Sequence, residues 1–302
     1  MKKKLTTITI GIPALNESAN IKRLLVELLS LDFSSFTLSQ ILVVDDGSTD
    51  DTVQKIKEVK SRLIRVLRHK TRAGIVKTQN DIIAHVKSDI LVMLDADVLP
   101  KNKTLIQNIV RPIIENKADL VGGSVESLPG RGIIERALSR SSQFKNAVYE
   151  SINSQDNVYL CHGRVRAMSK NFYFDFRWIE NVPEDAYSYL VSKKKKRKFV
   201  YAKDAVVVFR SPTTIAEHAK QRVRFLDSKN VLGAKFSRKQ LAREYALPTQ
   251  LVMSIFFLYL LRYPSEMLTY VFATLYIRFF VSVHKIDHSK HQIAVTSKNL
   301  SL

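Results

Sequence analysis

Acidic side chains follow two apolar runs of the chain, in a pattern that suits metal and phosphate chemistry. Residues 90–94 are apolar and lead into Asp95 and Asp97, which point the same way if the run is a β-strand. Two carboxylates at a strand end suit a hard divalent cation that keeps water ligands and bridges substrate phosphates. The sequence therefore indicates a site for a metal-bound, phosphate-bearing substrate, although aspartates that only cap a loop show the same spacing.

The second acidic run lies earlier in the chain. Asp45 and Asp46 follow the apolar residues 41–44, and Gly47 and Ser48 come next. Propensity alone makes this a good turn and helix start. However, ligands of open α/β folds bind where strands end, and two neighbouring acidic strand ends repel each other unless a cation or a hydrogen-bonding ligand compensates. This requirement favours a functional role.

Two later motifs supply further chemistry. Glu184 and Asp185 follow Pro183, and a carboxylate there could act as a general base. Residues 221–225 (QRVRF) fall within a helix predicted over 214–232 and combine basic and aromatic side chains. The i, i+3 spacing brings two of its polar side chains close to one helical face. The motif therefore predicts a basic, aromatic clamp.

Strand-like and helix-like stretches alternate through the first 126 residues. The predicted strands are residues 6–12, 41–44, 64–67, 90–94 and 120–125, and the predicted helices are 19–29, 51–59, 76–85 and 104–115. Beyond them we expect a helix over 133–152 and strands over 165–168 and 205–209. Unbroken apolar strands separated by helices predict an α/β fold with a Rossmann-like, mostly parallel sheet and helices on both faces.

The composition restricts the class of partner. Lys and Arg number 48 against 28 Asp and Glu, which gives a net charge of +20 and favours an anionic partner. No nucleic acid is expected, because the chain lacks helix-turn-helix, zinc-finger and RNP patterns. A dinucleotide oxidoreductase is disfavoured, since no GxGxxG follows the first strand. The single cysteine, Cys161, excludes an internal disulfide framework.

Two strongly apolar stretches lie near the end of the chain, at residues 247–261 and 267–283. Each is slightly short of the ~20 residues that cross a bilayer. They predict either a tight transmembrane hairpin or two helices lying in the membrane interface, and a soluble core hairpin remains an alternative. Basic residues flank both ends, which places the flanks and the catalytic domain on the cytoplasmic side of an anionic membrane.

The ordered set of motifs resembles a known family. The set consists of IPALNES (12–18), VVDDGSTD (43–50), LDAD (94–97), PED (183–185) and QRVRF (221–225). It is similar to that of the inverting GT-A glycosyltransferases of family 2, above all the membrane-associated cellulose- and hyaluronan-synthase-like members with a QxxRW motif. The resemblance covers residues 8–225 and implies sugar transfer from a nucleotide-sugar.

The resemblance also implies roles for individual residues. It implies that the nucleotide pocket is lined by Pro13, Ala14, Asn16 and Glu17. It also implies that Asp46 contacts the base or the ribose, that Arg72 lies near the phosphates, and that Asp95 contacts the ribose or the metal. At the diphosphate and the acceptor sugar it implies Gln221, Arg224 and Phe225. It further implies Asp97, together with Asp95, as the ligand of Mn²⁺ or Mg²⁺, and Asp185 as the general base with Glu184 as its neighbour.

The implied domains are a catalytic domain (1–232, with a nucleotide half at 1–126 and an acceptor half at 127–232), membrane helices (233–286) and a polar tail (287–302). The implied reaction moves a sugar, with UDP-sugar as the expected donor, to a hydroxyl of a membrane-proximal or lipid-linked saccharide.

The chain departs from the family at Phe225, where Trp is usual, at Ile75, where Lys is frequent, and at Arg164, which stands in a small-residue loop. A non-catalytic relative that binds nucleotide-sugar or scaffolds a membrane complex therefore remains an alternative.

Overall fold

An eight-stranded mixed sheet forms the centre of the computed structural model, which describes residues 5–219, 231–283 and 300. The strands are β1 (Thr7–Ala14), β2 (Thr37–Asp45), β3 (Ile64–Arg68), β4 (Ile90–Leu94), β5 (Leu99–Pro100), β6 (Leu120–Ser127), β7 (Val165–Ser169) and β8 (Phe199–Phe209). Their order across the sheet is β3-β2-β1-β4-β7-β6-β8-β5.

Helices cover the sheet and extend beyond it. They are α1 (Ile21–Leu29), α2 (Thr52–Lys57), α3 (Ile75–His85), α4 (Leu105–Ile114), α5 (Ile133–Glu150), α6 (Lys170–Tyr173), α7 (Glu184–Lys194), α8 (Arg238–Glu244), α9 (Thr249–Arg262) and α10 (Pro264–Val283). The helices and strands expected in the first 126 residues are confirmed, with ends that differ by a few residues. Most of the helix expected over 214–232 lies outside the described residues.

The first four large strands form a parallel unit. β1 pairs with β2 and β4, and β2 pairs with β3, all in parallel. Parallel neighbours require crossover connections, which α1 and α3 provide between these strands. The carboxyl ends of β1, β2 and β4 therefore meet at one edge of the sheet, and the acidic motifs of the sequence follow there.

The rest of the sheet is mixed, and four of the seven strand pairs are parallel, which agrees with the expected, mostly parallel sheet. β7 runs antiparallel to both β4 and β6, while β6 and β8 are parallel to each other. Because β7 is antiparallel to β4, its first residue, Val165, lies opposite Leu94 at the end of β4. The segment before β7 is thereby brought to the edge where the acidic residues lie.

Two apolar clusters fill the two faces of the sheet. One packs α1 and α4 on the sheet through residues such as Leu24, Leu28 and Ile109, and the other includes Ile82 of α3 and Tyr189 of α7. These side chains are buried completely. Burial on both faces explains why the central strands are continuously apolar.

The carboxyl-terminal helices pack on α5 rather than on the sheet. Phe144 and Val148 of α5 contact Met267 of α10 in a third apolar cluster. The expected break between two apolar helices is confirmed, because α9 ends at Arg262 and α10 begins at Pro264. By length and composition, the segment Arg238–Arg262 could cross a membrane, although its helix is interrupted at residues 245–248.

Candidate active site

Two loops at the carboxyl edge of the sheet are bonded into one unit. After β1, the N–H of Asn16 donates to Oγ of Ser48 at 2.9 Å, and the N–H of Thr49 donates to Oδ1 of Asn16 at 2.9 Å. The N–H of Glu17 donates to Oγ1 of Thr52 at 2.7 Å. The backbone of Asn16 is left-handed (φ 54°), a conformation that asparagine tolerates. Asn16 and Glu17 are thus fixed beside the end of β2.

Pro13 and Ala14 end β1 with buried side chains. The carbonyl of Ala14 accepts a hydrogen bond from the N–H of Asp46 at 2.8 Å. Both residues therefore lie beside the end of β2, and their contact with a nucleotide remains a prediction.

The carboxylate of Asp46 is bonded by the loop that follows β3. It accepts hydrogen bonds from the backbone N–H groups of Ala73 (2.7 Å) and Gly74 (2.9 Å), and one of its oxygens lies 2.8 Å from Nδ1 of His69. The side chain is almost completely buried. Its charge is therefore balanced within the protein, and its predicted contact with a base or ribose is untested.

His69 joins Asp46 to a second carboxylate. Its Nε2 lies 2.9 Å from Asp81, which also pairs with Lys77. Burial disfavours the protonated imidazole, but the hydrogen bonds and charges of Asp46 and Asp81 outweigh burial and raise the pKa of His69. The result is a chain of alternating charges that fixes the loop after β3.

The loop after β3 also packs closely on the turn after β2. Gly47 has φ +75°, and a Cβ there would lie 2.8 Å from the carbonyl carbon of Thr71, so a larger residue would displace the loop. Arg72 extends from this loop into solvent, and Ile75 is 38% exposed at the start of α3. Arg72 is thus available at the edge of the predicted nucleotide pocket.

Asp45 is balanced less completely than Asp46. Its Oδ2 accepts a hydrogen bond from the N–H of Ser48 at 3.2 Å and lies 3.4 Å from Nε of Arg68, while its Oδ1 is buried without a hydrogen-bond partner among the described residues. The sequence indicated that neighbouring acidic strand ends need a cation or a hydrogen-bonding ligand to compensate them. At the end of β2, His69, Arg68 and backbone N–H groups provide much of this compensation.

The carboxylate of Asp95, in contrast, lies near other carboxylates that repel its charge. Burial and the charge of Asp97 raise the pKa of Asp95 to about 6. The charge of Asp185 raises this pKa further, while Arg164 and Arg166 lower it. Because such effects fall off steeply with distance, the three carboxylates and two guanidinium groups share one part of the edge. The structure thus brings together residues that lie 90 positions apart in the chain.

Glu184 and Asp185 form the first turn of α7. Pro183 caps this helix, and acidic side chains in a first turn are favoured by the helix dipole. The backbone of Gly163 passes close by, because a Cβ placed on it would lie 3.9 Å from Cβ of Asp185. Asp185 therefore lies close to the loop before β7, and its role as a general base remains a prediction.

Trp178 fixes the start of α7. Its indole N–H donates to the carbonyl of Glu184 at 3.2 Å, and its backbone N–H donates to Oδ1 of Asn80 at 2.9 Å. The side chain is only 2% exposed. Trp178 is therefore a core residue, and its indole hydrogen bond positions the helical turn that carries Glu184 and Asp185.

Arg166 is a site residue that sequence reasoning missed. It is 1% exposed, its Nη1 donates to Oγ of Ser188 at 3.4 Å, and its guanidinium lies 5.0 Å from the ring centre of Trp178. The signal in the sequence was weak: Arg166 lies within the strand expected over 165–168, and Arg164 lies directly before that strand. Their proximity to Asp95 follows only from the antiparallel pairing of β4 and β7.

The QRVRF motif cannot be placed. Gln221, Arg224 and Phe225 lie outside the described residues, so their expected contacts with the diphosphate and the acceptor sugar stay predictions.

The donor set fits a magnesium or manganese ion. Among the described residues, no group of three or more His, Cys, Asp or Glu side chains is arranged to hold a metal. Magnesium, however, is usually bound by one or two carboxylates, with water and substrate phosphate as the other ligands. Asp95 and Asp97 provide such a pair, and a cation between them would relieve the repulsion that raises the pKa of Asp95.

The fold and its acidic edge define a class of enzyme. A mixed α/β sheet of this kind, with flanking helices, is that of the GT-A glycosyltransferases. Residues 9–174, more than half of the chain, match the family described as "Glycosyl transferase family 2". The chain therefore belongs to this family, as the motif set indicated.

Curated relatives match only part of the chain. It is similar to the poly(ribitol-phosphate) β-N-acetylglucosaminyltransferase TarS of Staphylococcus aureus strains Mu50 and MW2, with 27% identity over 127 residues. The match covers 41% of this chain and 22% of TarS, so it spans about a fifth of the relative's length.

Solved structures share the fold over most of the chain. A mannosyltransferase from Pyrobaculum calidifontis in complex with GDP-Man and Mn²⁺ has a TM-score of 0.61 at 17% identity, covering 94% of this chain and 82% of that one. Glucosyl-3-phosphoglycerate synthase from Mycobacterium tuberculosis, with Mn²⁺, UDP and phosphoglyceric acid, has a TM-score of 0.52 at 17% identity, and the match covers 80% of each chain. S. aureus TarS 1–349 has a TM-score of 0.53 at 16% identity, and the match covers 85% of this chain and 72% of that one.

Proposed function

We propose that this protein is a metal-dependent, inverting glycosyltransferase, and that it transfers a sugar from a nucleotide-sugar to a hydroxyl of a membrane-proximal or lipid-linked saccharide. The observation that carries the proposal is the shared electrostatic environment of Asp95, Asp97 and Asp185. One cluster thus combines a carboxylate pair suited to a cation with a third carboxylate suited to proton transfer.

The donor pocket is proposed at the bonded loops after β1, β2 and β3. Asn16 and Glu17 are bonded to Ser48 and Thr52 of the segment after β2. The carboxylate of Asp46 shapes the loop that carries Arg72. In this proposal Asp46 acts on the nucleotide largely through that loop, and Arg72 contacts the phosphates. UDP is the expected nucleotide, and the similar fold solved with GDP-Man makes GDP the second donor class to test.

Asp97 and Asp95 would hold the cation, which would neutralise charge on the nucleoside diphosphate leaving group. Similar folds contain Mn²⁺ or Mg²⁺ in their solved complexes, which supports this proposal. Asp185 accepts the proton of the acceptor hydroxyl as its oxygen attacks the anomeric carbon from the face opposite the diphosphate. A single displacement of this kind inverts the anomeric configuration. Glu184 lies in the same helical turn, and its negative charge would raise the basicity of Asp185.

Gln221, Arg224 and Phe225 are proposed to complete the site from the segment after Ala219, with Arg224 at the diphosphate. This part of the proposal rests on the motif resemblance alone.

The decisive experiment is a donor panel. UDP-, GDP- and dTDP-sugars are incubated with the enzyme and Mn²⁺ or Mg²⁺, and release of nucleoside diphosphate is measured with and without EDTA. We expect release that requires the cation and is lost in Asp97→Ala. Asp175→Asn, which removes an exposed carboxylate outside the cluster, is the matched control. Donor binding without release would support the non-catalytic alternative, and absence of binding would refute the proposal.

A membrane-proximal acceptor is supported by the carboxyl-terminal helices. Their outer faces expose large apolar side chains, including Leu258 (61%), Leu261 (83%), Phe272 (63%) and Phe279 (71%). Helix α8, which precedes them, carries Arg238, Lys239 and Arg243, a pattern that suits an anionic lipid surface. Burial raises the pKa of Tyr245, at the end of α8, and the charge of nearby Asp185 raises it further, so this segment adjoins the proposed base.

Sedimentation with anionic phosphatidylglycerol vesicles tests this surface. We expect the wild-type protein to sediment with the vesicles, and the double variant Leu261→Asp, Phe272→Asp to remain in solution. Phe174→Asp is the control, because Phe174 is 71% exposed beyond the opposite edge of the sheet. Equal sedimentation of both variants would remove the support for membrane contact.

A further inference from the structure

The loop before β7, residues 161–164, lies beside the proposed general base and carries two polar side chains whose bonding is incomplete. A Cβ built on Gly163 would lie 3.9 Å from Cβ of Asp185, so the backbone of the loop passes close to this residue. His162 and Arg164 flank Gly163 in sequence, and the charges of Arg164 and Asp185 both act on Asp95. The loop therefore lies next to the proposed base.

Contacts with the backbone and with an aromatic ring orient Arg164, and its positive charge acts on Asp95. Its backbone carbonyl accepts a hydrogen bond from the N–H of Asp95 at 3.1 Å, and its guanidinium carbon lies 4.1 Å from the ring centre of Phe209. Stacking on an aromatic ring fixes the plane of the guanidinium fork. Within the described ranges, its Nε is buried and has no hydrogen-bond partner.

His162 adds an uncharged polar group. Burial, followed by the positive charge of Arg164, lowers the pKa of His162 to about 4, so the imidazole is neutral at pH 7. Its Nε2 is buried and has no hydrogen-bond partner in the part of the chain that the structure describes. A neutral ring beside Arg164 can donate or accept one hydrogen bond without adding charge.

The sheet order separates this loop from the donor side. The proposed nucleotide loops follow β1 and β2, while β7 lies on the other side of β4, which carries Asp95 and Asp97. A group bound by Arg164 is therefore on the acceptor side of the carboxylate pair. An anionic acceptor would be repelled by three carboxylates there, and a bidentate arginine offsets such repulsion.

We propose that His162 and Arg164 form an anion subsite, in which a phosphate or carboxylate group of the acceptor binds next to the hydroxyl that Asp185 deprotonates. This proposal rests on the hydroxyl transfer proposed above. It narrows the acceptor to an anionic molecule and makes Arg164 a residue that determines specificity.

Binding of inorganic phosphate and of acetate to the full-length protein tests the subsite, by calorimetric titration with and without UDP and Mg²⁺. We expect Arg164→Met to weaken the binding of at least one anion by about tenfold or more, because a hydrogen bond to a charged group is lost. Arg164→Lys should retain part of the affinity, since lysine keeps the charge but not the fork. Arg62→Met removes an exposed arginine at the opposite edge of the sheet and should leave anion binding unchanged.

Stronger binding of phosphate assigns a phosphate-bearing acceptor, and stronger binding of acetate assigns a carboxylate-bearing one. The proposal is overturned if Arg164→Met binds both anions like the wild type, or if it weakens UDP binding as much as anion binding, since Arg164 would then serve the donor. A wild-type protein that binds no nucleotide but binds phosphate through Arg164 would refute the proposed function and leave the subsite standing. Thermal unfolding confirms that each variant is folded.

Discussion

The acidic ends of β2 and β4 lie at the same edge of the sheet, with only β1 between them, yet they are built differently. Asp46 accepts hydrogen bonds from two backbone N–H groups and contacts His69. Asp95 instead lies among the charges of Asp97 and Asp185, and its pKa is raised to about 6. The first carboxylate is compensated when the protein folds, whereas the second lacks full compensation.

This difference distinguishes carboxylates that stabilise the loops from carboxylates of the proposed reaction site. A buried charge that is paired and hydrogen-bonded contributes to a defined loop structure. A buried charge that faces like charges destabilises the protein until a cation or a proton joins it. The end of β2 therefore shapes the donor loops, and the end of β4 is where substrate and metal chemistry is expected.

The largest expected effect concerns the cluster at β4. Asp185→Asn keeps the size of the side chain and removes the proton acceptor, so we expect kcat to fall by about 10²–10⁴-fold. The dissociation constant of the nucleotide should change little. Single-turnover kinetics and nucleotide titration measure the two quantities, with Asp175→Asn as control. A kcat close to that of the control would exclude Asp185 as the base.

The next effect tests the comparison itself. Asp46→Asn should lower the free energy of unfolding by about 1–3 kcal/mol, because a buried set of donors loses its charged acceptor. Asp95→Asn should leave that free energy unchanged or raise it in the absence of a divalent cation, since it removes a charge that repels its neighbours. Urea titration in EDTA measures both. Equal destabilisation by the two variants would contradict the comparison.

The pH dependence sharpens the comparison further. The pKa of Asp95 is about 6 in the folded protein, above its ordinary value of 3.8. Between these pH values the folded protein therefore binds more protons than the unfolded chain, so the stability that Asp95 contributes falls as the pH rises. Mn²⁺ binds the ionised form, so it should raise Tm by about 2–4 °C above pH 6 and much less at pH 4.5. Calorimetry checks this, and the metal effect should disappear in Asp95→Asn.

The smallest effect concerns the compensated end of β2. The raised pKa of His69 means that its protonated form stabilises the folded state, fully below its ordinary pKa of 6.5 and less as pH rises through the folded pKa. His69→Gln should therefore cost about 1 kcal/mol at pH 6 and less at pH 9. Urea titration at both pH values measures the cost, with the exposed His85→Gln as control. A cost independent of pH would show that the charge of His69 is unimportant.

Much of the fold was predictable because its signals are local. The apolar runs that became β1, β2 and β4 and the periodicity of α1 and α4 are read within about ten residues, and they specified the parallel unit. The direction of β7 was not predictable in this way. Nothing near Val165 indicates that it lies opposite Leu94, since that pairing depends on how a long connection packs.

The site was predictable in part for the same reason. Strand-end carboxylates such as Asp95 and Asp97 are visible as a pattern, and Asp185 was found through its family resemblance. Arg166 carried no comparable signal, and the burial of Trp178 could not be distinguished from a sugar-facing position.

The sequence by itself determined the alternation of strands and helices and the strand ends at which carboxylates are placed, because both depend on side chains that are neighbours along the chain. Only the tertiary structure decided which of those carboxylates is compensated. Asp46 depends on Ala73 and Gly74, and Asp95 depends on Arg164 and Asp185. Electrostatic energy depends on distances in the folded protein, and residues far apart in sequence set those distances.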